Sequence, residues 1–189
     1  MKVVPATSEL WPKLEQLFGP KGAYSGCWCM FWRLERAEFK KKKGPGTKAE
    51  LKKHTSQGRV PGVIGFVDGQ AAGWCSIGPR QDYLALENSR ILKRIDAAPV
   101  WSIVCFFVAK EFRRQSAMNA LLVGAIAYAK NHGASIIEGY PLDLDGPKLK
   151  DQTLSSFAGY MGIASAFKQA GFKKVGQASE TQLIMRLML

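Results

Sequence analysis

The sequence predicts a mixed α/β fold, and three observations carry the prediction. Strand-like and helix-like segments alternate along the chain. Asp68-Gly69 sits between two apolar runs, the strongest short hairpin signal present. The segment "VWSIVCFFVA", residues 100–109, is almost wholly apolar, as a central strand covered on both faces must be. At 189 residues the chain is long enough to bury one substantial core, and residues 1–189 are read as a single domain.

The elements follow in order. "KVVPAT" reads as a short first strand. Thr7 or Ser8 can cap a helix whose residues Leu10, Trp11, Leu14, Leu17 and Phe18 recur at helical spacing, and "GPKG" stops it. "CWCMFWRLERAEF", residues 27–39, is ambiguous between strand and helix. The lysine run at 40–43 with the following "GPG" reads as a loop, and "TKAELKKHTSQG" as a short helix ended by Gly58. The hairpin covers residues 60–80. "YLALENSRILKRID" is a helix or a loop with helical turns. After the central strand, residues 116–131 form a helix apolar almost all round, hence a buried one, ended by "NHG". "ASIIEGYPLD" is a further strand. Residues 142–162 are longer than an ordinary connection, which favours a functional flap. "ASAFKQAGF" is the last helix, and "KKVGQ" and "TQLIMRLML" form the final pair of strands.

Composition narrows the function. The N-terminus has no apolar signal core and no segment is long enough to span a membrane, so a cytoplasmic protein is expected. The four cysteines, Cys27, Cys29, Cys75 and Cys105, do not form paired C-x-x-C units and are expected as free thiols. Cys27 and Cys29 would share one face of a strand, but structural zinc needs four ligands, so no metal is expected. Neither His54 nor His132 lies near a cysteine in sequence, which disfavours a cysteine nucleophile. The formal net charge is +12, and residues 33–53 hold nine Lys/Arg against three acidic residues, half of that excess. Such a stretch either attracts anions or is simply a solvated basic surface.

The informative motif is "FVAKEFRRQSAMNALL", residues 107–122: a strand, a basic bend and a helix start. The first helical N–H groups, from about Gln115 through Ser116 and Ala117 to Met118, have no intrahelical partner. The helix dipole and the charges of Arg113 and Arg114 add to them, which suits a phosphate. Ser116 can cap the helix or donate its hydroxyl. Met118, Leu122 and Ile126 are spaced to face the core.

With these residues in view, the chain resembles the GNAT superfamily of acetyl-CoA-dependent N-acetyltransferases. There a buried strand ends in a bend of the pattern [Q/R]-x-x-G-x-[G/A] followed by a helix. Arg113 matches the first position, Ser116 replaces the first glycine and Met118 the second small residue. The surroundings match better: "FFVAKEFRRQSAMNALLVGAIAYAKNHGA", then "SIIEGYP", then "AFKQAGFKKVG". The segments "GWC", "CFFV" and "EGYP" also resemble a bacterial subgroup.

The resemblance implies a twisted central sheet of about seven strands with helices on both faces, and acetyl-CoA as co-substrate. It implies that backbone groups of Phe106, Phe107 and Val108 meet the pantetheine arm, and that one N–H polarises the thioester carbonyl while an amine attacks. Ser and Met are tolerated in the bend if those positions already have helical φ. Glu138, a carboxylate in an apolar strand, is the first candidate base, followed by Asp143 and Asp145; its alternative is a salt bridge to the basic N-terminal region. Phe167 stands where many members place a proton-donating tyrosine, so Tyr140, Tyr160 or water would replace it. Trp28, Trp32 and Tyr160 are candidates for contacting a small-molecule or peptide amine acceptor; Trp28, Phe31 and Trp32 either line that pocket or cap the core, and the core reading is preferred. A homodimer is left open. The alternative from another class is a non-catalytic CoA-binding or nucleic-acid-binding module on the same fold, nucleic acid being the more distant reading.

Overall fold

The computed structural model describes residues 1–113, 115–150 and 159–189. Seven strands form one sheet: β1 (Lys2–Pro5), β2 (Gly62–Val67), β3 (Gln70–Pro79), β4 (Trp101–Val108), β5 (Ile136–Gly139), β6 (Lys173–Ser179) and β7 (Gln182–Met188). Their spatial order is β1-β2-β3-β4-β5-β7-β6. The helices are α1 (Trp11–Phe18), α2 (Arg36–Lys42), α3 (Pro45–Ser56), α4 (Leu84–Glu87), α5 (Ala117–Asn131) and α6 (Ala164–Gln169). The Asp68-Gly69 turn has both central residues at positive φ, 48° and 78°, the geometry that matches the twist of the paired strands.

All neighbouring strands are antiparallel except β4 and β5. The parallel pairing is short: Trp101, Ser102 and Ile103 oppose Ile137, Glu138 and Gly139. Beyond Ile103, β4 continues to Val108 while β5 has ended, so the sheet forks there. Phe167 packs at the fork. A methyl group built on Gly139 would lie 2.2 Å from the Phe167 ring, so this strand position admits only glycine at that approach.

The sheet is covered on both faces. One core joins Leu121, Leu122, Ala125 and Ala129 of α5 with Ile103 and Phe106 of β4, Ile137 of β5, and Phe167 of α6. The second joins Trp11, Leu14 and Phe18 of α1 with Phe39 of α2, Leu51 of α3, and Trp74 of β3. Leu14, Leu17 and Phe18 are buried as the helical spacing predicts.

Several local expectations are revised. Residues 27–34 are neither strand nor helix but a run of turns, because Trp28 and Cys29 both take left-handed backbone angles, φ 46° and 51°. Lys40–Lys42 end α2 rather than forming a loop, where three ammonium groups suit the helix C-terminus. In α5 the buried face is only one side: Val123 is 61% exposed.

The basic stretch is less uniformly solvated than its composition implies. Arg33 is buried and donates to the Pro61 carbonyl and the Tyr83 hydroxyl. Lys42 pairs with Glu38 and Glu50, and Lys48 with Glu15.

Candidate active site

The fork in the sheet opens into a cavity of about 720 Å³. At one end stand Arg113, Ser116, Ala117, Met118 and Asn119, at the other the segment from Ala23 to Phe39, and Phe106, Phe107 and Val108 of β4 lie between. The cavity therefore joins the basic bend to the aromatic N-terminal stretch along one strand.

The bend presents donors in the way the motif predicts, with one revision. The Ala120 N–H donates to the Ser116 carbonyl, which starts the helical ladder and leaves the N–H groups before it without intrahelical partners. Ser116 is the N-cap, but its φ is 56°, in the left-handed region, and its side chain makes no capping bond. The expectation of ordinary helical φ at this position is corrected: the bend still has the backbone that favours glycine, and a serine adopts it. Arg113 Nε donates to the Val108 carbonyl at 3.0 Å, which ties its guanidinium to the end of β4. Gln115 Nε2 donates to the Glu111 carbonyl. Arg114 lies outside the described residues. Met118 packs half-buried against the α5 core and also lines the cavity.

The open edge of β4 carries two inward-facing N–H groups. Ala109 N–H donates across to Ala72 on β3, so by the alternation of a strand Val108 and Phe106 turn theirs toward the fork. The Phe106 N–H is taken by the Tyr160 carbonyl at 2.6 Å. The Val108 N–H has no partner among the described residues.

At the aromatic end the lining includes Tyr24, Phe31, Trp32, Phe39 and Tyr160, with the thiols of Cys27, Cys29 and Cys105. Cys29 and Cys105 approach to 3.2 Å between sulfurs. Burial pushes the Cys27 thiol up to about 11 and the Cys29 thiol well above its ordinary range. Burial likewise raises the Tyr160 hydroxyl to about 12. These groups are neutral near pH 7. Ala23, Ser25, Trp28 and Cys29 all have positive φ without being glycine, so this wall is held by tertiary packing against its local preference.

The structure separates the other candidates from the cavity. Glu138 is fully buried: Arg80 Nη1 donates to its Oε1 at 2.9 Å and Arg186 Nε to its Oε2 at 2.7 Å. Tyr140, also fully buried, donates to Glu138 at 2.7 Å and meets the Ser102 hydroxyl at 2.9 Å. The salt-bridge alternative for Glu138 thus has geometry behind it, with Arg80 and Arg186 as partners in place of the basic N-terminal region. Asp143 and Asp145 do not line the cavity. Trp28 is 4% exposed and stacks on Trp11 at 6.0 Å, in the core reading of that residue, whereas Trp32 and Tyr160 line the cavity. Phe31, read from sequence together with Trp28 and Trp32 as pocket lining or core, lines the cavity, whereas Tyr24, Phe39 and Cys105 carry no local signal that would place them there. Among the described residues no cluster of three potential metal ligands exists, and no helix is long and apolar enough to cross a membrane.

Comparison with known proteins agrees with this architecture. Ribosomal-protein-alanine N-acetyltransferase from Brucella melitensis superposes with TM-score 0.52 at 17% identity, covering 100% of both chains. PaiA N-acetyltransferase from Thermoplasma acidophilum, solved in complex with coenzyme A, gives 0.53 at 14% identity, covering 100% of this chain and 98% of that one. A Corynebacterium glutamicum structure described as histone acetyltransferase HPA2 and related acetyltransferase gives 0.55 at 18%, covering 98% and 94%. At these identities the likeness speaks for the fold. A search of curated proteins finds no match. The family model for the acetyltransferase (GNAT) family matches residues 28–140, from the aromatic wall through the forked strand and α5 to β5, and the chain belongs to that family.

Proposed function

We propose that this acetyltransferase moves the acetyl group of acetyl-CoA directly to an amine held at the aromatic end of the cavity. The observation that carries the reading is the continuity of one cavity from the N-terminus of α5, past the open edge of β4, to the 23–39 segment. The pyrophosphate of acetyl-CoA would take the N–H groups at the start of α5, with Arg113 beside them. The pantetheine amides and the thioester carbonyl would share the outward donors of β4. Val108 offers its N–H at once, and Phe106 offers its own when the Tyr160 carbonyl moves off it.

Attack by the amine nitrogen forms the C–N bond and places negative charge on the carbonyl oxygen, which a fixed backbone N–H stabilises. The nitrogen, made acidic by the new bond, sheds one proton to water, and collapse breaks the C–S bond to give the amide and the CoA thiolate. Of the two tyrosines considered as its proton donor, Tyr160 lines the cavity and Tyr140 does not. A hydroxyl raised to about 12 arrives protonated and is competent to donate. Glu138 and Tyr140 are read here as positioning β5 at the fork.

The test is calorimetric titration with acetyl-CoA, followed by turnover with amines. Binding that is lost or weakened at least about tenfold in Arg113→Glu supports the phosphate assignment. Absence of acetyl-CoA binding to the unaltered chain at low salt would overturn the reading.

A further inference from the structure

Two thiols from distant parts of the chain meet inside the cavity. Cys29 belongs to the turn segment that forms the aromatic wall, and Cys105 to β4, one residue before Phe106. Their sulfurs lie 3.2 Å apart, and both residues line the cavity. Each stands at an irregularity of the backbone. Cys29 has φ 51°, and the β3–β4 pairing shifts register just where Ser76 opposes Cys105. A bulge of this kind re-aims a side chain, and here it faces one thiol with another.

We propose that Cys29 and Cys105 form a site of reversible oxidative modification, at which a hydroperoxide joins the two sulfurs into a disulfide inside the cavity. The sulfurs need to close by only about 1 Å to reach the bond length of a disulfide. Cys105 is half-buried and Cys29 buried, so Cys105 meets the oxidant. Its sulfur takes one oxygen from the peroxide, giving a sulfenic acid and an alcohol, or water where the oxidant is hydrogen peroxide. The Cys29 sulfur then displaces that oxygen as water, and the S–S bond forms. The two thiols give up two hydrogens and two electrons, and the peroxide is reduced to one alcohol and one water. Burial, and after it the neighbouring Cys105, hold the Cys29 thiol well above its ordinary pKa. Proximity rather than thiolate character therefore drives the second step. For the same reason Cys29 is a poor leaving group, and the bond yields slowly to exchange once made.

The bond ties the segment carrying Phe31 and Trp32 to β4 beside Phe106, at the aromatic end of the cavity. The N-terminus of α5 and Arg113 stand at the other end. On the acetyl-transfer reading above, the oxidised chain still holds acetyl-CoA, with the aromatic wall fastened to β4. That consequence rests on the reading; the bond itself does not.

The experiment treats the full chain with a few-fold excess of hydrogen peroxide, alkylates the remaining thiols and maps tryptic peptides without reduction. Cleavage after Lys21 and Arg33 leaves Cys27 and Cys29 on peptide 22–33, and cleavage after Arg94 and Lys110 leaves Cys105 on 95–110. The expected result is a crosslink between these two peptides, two hydrogens lighter than their sum, in at least about half of the chains. Dithiothreitol should release it. Cys27→Ala should keep the crosslink and Cys29→Ala should lose it. Fragmentation of the crosslink from the unaltered chain assigns the sulfur independently of either variant. A bond through Cys27 or Cys75, or sulfinic acid with no bond, would overturn the proposal. Calorimetry with acetyl-CoA then tests the consequence: the oxidised chain should bind within about threefold of the reduced one, since the phosphate end is untouched. A loss beyond about tenfold would overturn the confinement of the bond's effect to the aromatic end. Absence of binding by the reduced chain would overturn the acetyl-transfer reading alone, because the peptide map decides the bond.

Discussion

Nη1 of Arg80 lies 2.9 Å from Oε1 of Glu138, and each side chain is 1% exposed. The guanidinium also donates to Glu87 and to the Leu92 carbonyl, while the second Glu138 oxygen accepts from Arg186. A buried ion pair of this kind adds little net stability as formed, but breaking it leaves an uncompensated charge inside the protein. Glu138→Ala should therefore cost roughly 3–5 kcal/mol in denaturant unfolding, the penalty for stranding Arg80. The folded fraction at low temperature should still bind acetyl-CoA, because Glu138 does not line the cavity. A loss of turnover with unchanged stability would instead assign Glu138 to proton transfer.

That pair also marks where sequence reasoning stops. Arg80 and Arg186 stand 58 and 48 residues from Glu138, and no local pattern announces such partners. The hairpin at Asp68-Gly69 and the buried β4 are legible because their signals are local: a turn dipeptide and an unbroken apolar run. The basic bend is legible for the same reason. The 27–34 segment is opaque because Trp28 and Cys29 are driven into the left-handed region by packing around Trp11, Phe18 and Trp74, against their own preferences. The aromatic wall of the cavity, assembled from that segment, β4 and Tyr160, inherits the same opacity.

Ser116 occupies a glycine-like conformation at φ 56°. A side chain in this region costs roughly 1–2 kcal/mol, while glycine costs about 0.5–1 kcal/mol through the unfolded chain. Ser116→Gly should accordingly stabilise the fold by several tenths to about 1 kcal/mol and leave acetyl-CoA affinity within about twofold. Ser116→Val should destabilise, as β-branching is least tolerated at positive φ. Thermal unfolding of both variants checks the sign, and equal melting temperatures would mean that the bend relaxes away from this backbone.

His54, near the end of α3, has its pKa held below the ordinary value of 6.5, first by burial and then by the charges of Arg33 and Arg59. The unfolded chain thus binds the proton more readily than the folded one. The neutral imidazole's contribution is full above the unfolded pKa and is lost as pH falls through the folded one. Urea midpoints should therefore drop on acidification from about pH 7.5 to about pH 5, and His54→Gln should flatten part of that drop. A midpoint in the variant that falls as steeply as in the unaltered chain assigns the acid sensitivity to other groups.

Phe167 stands where a proton-donating tyrosine is expected, yet its ring is fully buried, packed edge-on to Phe106 at 6.2 Å between centroids and against Gly139. A hydroxyl added there would enter an apolar core instead of the cavity, which Phe167 does not line. Phe167→Tyr should thus lower stability by about 1–3 kcal/mol, the cost of an unsatisfied buried donor. Turnover per folded molecule should not rise. Tyr160→Phe, by contrast, should reduce kcat by roughly tenfold to a hundredfold with little change in stability, a modest factor because the CoA thiolate leaves readily without help. Measured side by side, the two variants place the acid. A kcat that climbs in Phe167→Tyr and is indifferent to Tyr160→Phe would move that role back to the α6 position and mean that β4 and β5 open further during turnover than the fork seen here.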